Sequence, residues 1–143
     1  MSIRPRQAAD NPRLLEIWHR AVLATHDFLS SEDVETLYCQ VRDLYLNAVT
    51  ISVYMLDDGG VAGFIGLGER HVEMLFVDPQ LHGQGIGSRL LDDARERLGD
   101  LTVDVNEQNP AAHDFYRRYG FRDIGRSATD GQGRPFPLIH MAL

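Results

Sequence analysis

Val77-Asp78-Pro79-Gln80-Leu81-His82-Gly83-Gln84-Gly85-Ile86-Gly87-Ser88-Arg89-Leu90-Leu91 reads as the end of a strand, a glycine-rich turn and the start of an amphipathic helix. Such a junction builds an anion cradle. Glycines at every second position can turn their N–H groups inward, and the positive end of the following helix adds to the field. With no side chain at Gly83, Gly85 and Gly87, a diphosphate can approach the backbone itself. His82, Gln84, Ile86, Ser88 and Arg89 complete the turn, with Arg89 placed to reach a phosphate. A Walker loop is excluded, because it closes on Gly-Lys-Ser/Thr and this turn ends Gly87-Ser88-Arg89. The dinucleotide fingerprint needs glycine or alanine at Ser88 or Leu90 and is excluded as well. On glycine spacing alone, a tight connection without a ligand stays open.

A second segment, Val103-Asp104-Val105-Asn106-Glu107-Gln108-Asn109-Pro110-Ala111-Ala112-His113-Asp114-Phe115-Tyr116-Arg117-Arg118-Tyr119-Gly120-Phe121, adds a specific pattern. Asn109, Ala112, Phe115, Tyr116, Gly120 and Phe121 stand as Asn-x-x-Ala-x-x-Phe-Tyr-x-x-x-Gly-Phe. With the glycine turn, this resembles the coenzyme A site of the GNAT superfamily of N-acetyltransferases. The family's first motif is Gln/Arg-x-x-Gly-x-Gly/Ala, and His82 stands here where arginine or glutamine is usual.

The resemblance implies an α/β fold: a mixed, mostly antiparallel sheet of six to seven strands, flanked by about four helices, with a splay between the fourth and fifth strands. It implies acetyl-CoA as co-substrate, with the pyrophosphate on residues 82–89. The pantetheine would then meet the backbone of Leu75, Phe76 and Val77, with Asn106, Asn109 and Phe115 alongside. Tyr116 would lie beside the cofactor sulfur as the acid, and Glu73 would act as base, directly or through water. His26, in Ala24-Thr25-His26-Asp27-Phe28-Leu29, competes with Glu73, as does His71; that segment resembles one in small bacterial protein-lysine or uncharacterised acetyltransferases.

Two proton transfers set the chemistry. A lysine amine with pKa ~10.4 costs roughly 4 to 5 kcal/mol to deprotonate at pH 7, an α-amine near ~8 only about 1. A tyrosine at ~10 is too weak an acid to protonate a thiolate at ~8.5 outright, by about 2 kcal/mol. A hydrogen bond that strengthens as charge develops avoids most of that cost. The acceptor is read as a protein lysine or a small amine such as an amino acid, polyamine or aminoglycoside. A non-catalytic acyl-CoA sensor is the reading from another class.

Composition agrees. A chain of 143 residues, 43% hydrophobic, is long enough for one well-buried core, and a single N-acetyltransferase domain over 1–143 is expected. The net charge of −7 excludes a general nucleic-acid or anionic-membrane binder, disfavours charged tRNA as substrate, and favours a cationic acceptor. Cys39 is the only cysteine, so no internal disulfide can form and a reducing cytoplasm is expected. Cys39 falls on an apolar helical face, which predicts core packing. Neither a signal peptide nor a membrane span is visible, and no histidine spacing suggests a metal site. The expected assembly is a monomer or homodimer.

Along the chain, Ile3 opens an edge strand and Asn11-Pro12 caps a first helix that buries Leu14, Leu15, Trp18, Ala21 and Val22. Ser30 and Asp33 start a second, with Val34, Leu37, Tyr38, Val41 and Leu44 on its apolar side. Asp57-Asp58-Gly59-Gly60 turns a hairpin between strands near 51–56 and 61–67, and 71–77 is a third strand. The helix after the glycine turn points Leu90, Leu91, Ala94 and Leu98 inward and stops at Gly99. A parallel strand follows over 101–105, then a helix capped by Asn109-Pro110, and closing strands from Phe121.

Overall fold

The computed structural model describes residues 2–143; the side chain of Leu44 lies outside the described residues. Seven strands form one sheet in the order β1-β2-β3-β4-β5-β7-β6. They are β1 (Ser2–Pro5), β2 (Thr50–Met55), β3 (Val61–Gly68), β4 (His71–Val77), β5 (Thr102–Asn106), β6 (Arg122–Ser127) and β7 (Leu138–Ala142). Every neighbouring pair is antiparallel except β4 and β5, which are parallel and joined through a crossover helix.

Four helices cover the sheet: α1 (Asn11–Thr25), α2 (Ser31–Gln40), α3 (Ile86–Leu98) and α4 (Pro110–Tyr119). The start of α1 differs from expectation. Asn11 is its first residue rather than its cap, because Asp10 closes a preceding 3-10 turn and is held there by Arg4 and by the Gln7 N–H. The box at α2 forms as read, with Ser30 accepting from the Asp33 N–H and Asp33 from the Ser30 N–H. Helix α2 then widens into a π turn, Val41–Tyr45, before a last helical turn, Leu46–Ala48.

Cys39 is exposed, which corrects the expectation of core packing. At about 100° per residue it lies roughly 140° round the helix from buried Val34, off the apolar stripe. Leu98 is also 37% exposed; Leu101, just past the Gly99 cap, is fully buried in the core there.

The two faces of the sheet carry separate cores. Leu14, Ile17 and Trp18 of α1 and Val34 of α2 pack with Val53, Phe64 and Met74 on one face. Leu90, Leu91 and Ala94 of α3 and Tyr116 of α4 pack with Ile65, Val72, Val103 and Val105 on the other. A β-bulge makes β4 change faces. Gly66 pairs with Met74 but Leu67 with Val72, so Glu73 is the extra residue, and Val72 and Met74 enter opposite cores.

Candidate active site

The parallel pairing of β4 with β5 consists of His71 with Thr102 and Val72 with Val103, and then stops. Beyond it β4 stays with β3, and β5 with β7. From Glu73 onward the backbone groups of β4 that face β5 have no strand partner. A cleft of about 130 Å³ opens there, lined by residues 72–76 and 103–106 with His26, Asn109, Ala112 and Tyr116. The structure thus brings together three of the four residues expected to do proton chemistry, Tyr116, Glu73 and His26, and leaves His71 outside the lining.

Tyr116 is 7% exposed, its ring set edge-on against Phe115 and Phe121 at 5.1 and 5.3 Å. Its hydroxyl has no hydrogen-bond partner among the described residues although it lines the cleft. Burial pushes its pKa well above the ordinary tyrosine value, so it stays a donor at any physiological pH.

Glu73 is lifted into the cleft by the bulge. Its Oε1 lies 3.0 Å from where a Cβ on Gly68 would stand, which explains the glycine across the hairpin. No cation pairs with this carboxylate among the described residues.

His26 ends α1, and its tautomer follows from its neighbour. The single Thr25 hydroxyl proton is donated to the Ala21 carbonyl at 2.7 Å, so Thr25 Oγ1 can only accept from His26 Nδ1–H, also at 2.7 Å. Nε2 is left bare. Burial lowers the imidazole pKa, with Asp27 opposing, so the ring is neutral at pH 7.

In the glycine turn, Gly83 and Gly85 have φ of +80° and +78°, and a Cβ at either would meet nothing within 4 Å. No side chain caps the N-terminus of α3, whose ladder begins with the Arg89 N–H on the Gly85 carbonyl. The first-turn N–H groups at Ile86, Gly87 and Ser88 are therefore available to an anion. This fits a diphosphate. His82 Nε2 lies 3.1 Å from the Val77 carbonyl and pins the turn back on β4.

Gly87 has a packing reason as well. A Cβ there would meet the Phe115 ring at 3.1 Å. Phe115 thereby locks α4 against the start of α3. The Arg89 guanidinium donates to the Tyr54 hydroxyl at 2.7 Å, at a separate cavity with Ser2, Ile3 and Asp93.

Asn109 caps α4 through Oδ1, which accepts from the Ala112 N–H, and Asn106 Oδ1 accepts from the Gln108 N–H. Each keeps its amide N–H₂, and a second lone pair on Oδ1, for a ligand. Leu75 and Phe76 line the cleft from β4, and Val77 follows at its end. His71 is not in the cleft lining; its ring bridges Thr102 Oγ1 and Asp104.

The sequence reading leaves out two residues. Asp104 lines the cleft opposite Glu73, and the alternation Thr102-Val103-Asp104-Val105-Asn106 would have placed it on that face. Asp78, 2% exposed, accepts from Arg13 at 2.8 Å and Arg20 at 3.3 Å and ties the glycine turn to α1. Burial raises its pKa, but the Arg13 and Gln80 hydrogen bonds and both arginine charges bring it below the usual carboxylate range.

An acetyltransferase (GNAT) domain model matches residues 27–143, and the chain belongs to that family. It is accordingly an N-acetyltransferase that uses acetyl-CoA. The peptidyl-lysine N-acetyltransferase YjaB of Salmonella typhimurium is 39% identical over 141 residues, covering 99% of this chain and 97% of that protein. The solution structure of apo-form YjaB from Escherichia coli, 39% identical, superposes with a TM-score of 0.92 over 99% of this chain and 95% of that one. YncA of Salmonella typhimurium, a putative acetyltransferase solved with acetyl-CoA, is 25% identical with a TM-score of 0.68 and coverage of 100% and 92%.

Proposed function

We propose that the chain acetylates protein lysine side chains, by direct transfer from acetyl-CoA in a ternary complex. The observation that carries this reading is the convergence of a bare imidazole nitrogen, an unpaired carboxylate and an unpartnered phenol on one cleft at the strand splay. The similarity to peptidyl-lysine N-acetyltransferases supports lysine as the acceptor.

Glu73 draws in the lysine ammonium. His26 Nε2 takes its proton, a step that matters because lysine deprotonation costs roughly 4 to 5 kcal/mol at pH 7. The neutral amine then attacks the thioester carbonyl, which unpaired β4 N–H groups can polarise. Tyr116 donates a hydrogen bond to the departing sulfur, and the uncapped turn over 83–88 holds the diphosphate. Leu75, Phe76, Val77, Asn106 and Asn109 bind the pantetheine arm by main-chain and amide contacts. We take the chain to act as one domain, monomeric or homodimeric, and the absence of any possible internal disulfide supports a cytoplasmic setting.

Coenzyme A release tests the acceptor, measured with lysine peptides, free α-amines, a polyamine and an aminoglycoside in parallel. Lysine peptides should give the highest kcat/KM; release with the small amines alone contradicts the reading. All 14 basic residues of this chain are arginine, so any acetyl-lysine detected belongs to the acceptor and not to the enzyme.

A further inference from the structure

Beside the cleft, on the side of the sheet opposite Val103 and Val105, lies a second group of chemical side chains that shares only Asp104 with the cleft lining. Ser127 Oγ lies 2.6 Å from His140 Nε2, and His140 Nδ1 lies 2.6 Å from Asp104 Oδ1. The residues come from three adjacent strands: Asp104 of β5 stands directly across from His140 of β7, and Ser127 ends the edge strand β6. Asp104 is anchored from its far side by His71, whose Nε2 is 3.4 Å from Oδ2.

The protons are assigned by elimination. A carboxylate can only accept, so Nδ1 of His140 carries the proton. In that tautomer Nε2 accepts from the Ser127 hydroxyl. This is the order nucleophile, base, orienting carboxylate. The main-chain N–H groups of Ala128 and Thr129 have no partner among the described residues, and the donor following the serine is where an oxyanion needs one. The His140 and Asp104 side chains are 32% and 36% exposed, open to a small substrate. No group of three or more His, Cys, Asp or Glu among the described residues is arranged for a metal, so the cluster reads as proton chemistry.

We propose that Ser127, His140 and Asp104 form a second acyl-transfer site that hydrolyses small activated acyl esters independently of acetyl-CoA. Ser127 Oγ bonds to the ester carbonyl carbon as its proton passes to His140 Nε2. The bond from that carbon to the alcohol oxygen breaks, and the alcohol leaves with the proton from His140. Water then attacks the acyl-serine, giving its proton to His140. The carboxylic acid departs and the proton returns to Ser127.

The test uses p-nitrophenyl acetate turnover and a fluorophosphonate probe mapped by mass spectrometry, on wild type, Ser127→Ala and His140→Gln, with thermal unfolding recorded for each. Expected are a fall of about tenfold in ester hydrolysis for both variants, and an adduct on Ser127 in the wild type that His140→Gln loses. Ser127→Ala should keep amine-dependent coenzyme A release, which separates this site from the N-acetyltransferase cleft. Wild-type ester turnover by Ser127→Ala, or an adduct that is missing from Ser127 or survives in His140→Gln, overturns the proposal.

Discussion

A phenol with a buried ring, no protein partner and a hydroxyl open to the cleft is free to donate to a ligand there. Tyr116→Phe should therefore leave acetyl-CoA affinity within about twofold while lowering kcat about 100-fold, as isothermal titration and steady-state kinetics would show. Because burial keeps Tyr116 protonated, its ionisation should not produce the alkaline fall of the pH profile. The acid limb belongs to His26. Its base form persists down to its lowered pKa, so kcat/KM for the acceptor should hold through pH 6.5 and fall as pH drops below it. Asp27 is the one influence raising that pKa, so Asp27→Asn should move the acid limb to lower pH; a limb that stays in place would remove His26 from the base role.

At the scale of elements, the site depends on how the glycine turn is fastened between β4 and α3. Asp78 fastens it to α1 by hydrogen bonds from two arginines, and Asp78→Asn should lower stability by about 2 kcal/mol in denaturant unfolding at pH 7. Its lowered pKa fixes the sign: the contribution is present above the unfolded value near ~3.9 and is lost as pH falls through the lower folded value. Wild type and Asp78→Asn should therefore converge in stability under acid. Gly85→Ala strains a residue at φ +78° without any clash, so it should cost about 1 to 2 kcal/mol and weaken acetyl-CoA binding by about tenfold. Unchanged binding in that variant would show that the turn does not hold the diphosphate.

Element boundaries near the site were legible because local chemistry writes them: the Ser30 and Asn109 caps, the Gly99 stop and the Asp58-Gly59-Gly60 turn all stand where composition puts them. What was not legible depends on partners distant in the chain. Gly87 leaves room for Phe115, and Arg89 donates to Tyr54, neither of which any local window contains. The bulge at Glu73 is a register event between β3 and β4, so strict alternation could not say which core Val72 and Met74 would enter.

Across the whole molecule, two cores on opposite faces hold a sheet that comes apart at a single parallel pair of strands, and the account stands on a thioester lying in that gap. The family membership shows the fold and the use of acetyl-CoA, while the residue roles rest on the geometry of this chain. Titrating acetyl-CoA into isotope-labelled protein and following backbone amide shifts by NMR tests them together. Saturable shifts at residues 83–88, 75–77 and 106 are predicted. Shifts confined to the cavity of Tyr54 and Arg89, with the glycine turn and the splay unmoved, would contradict the account.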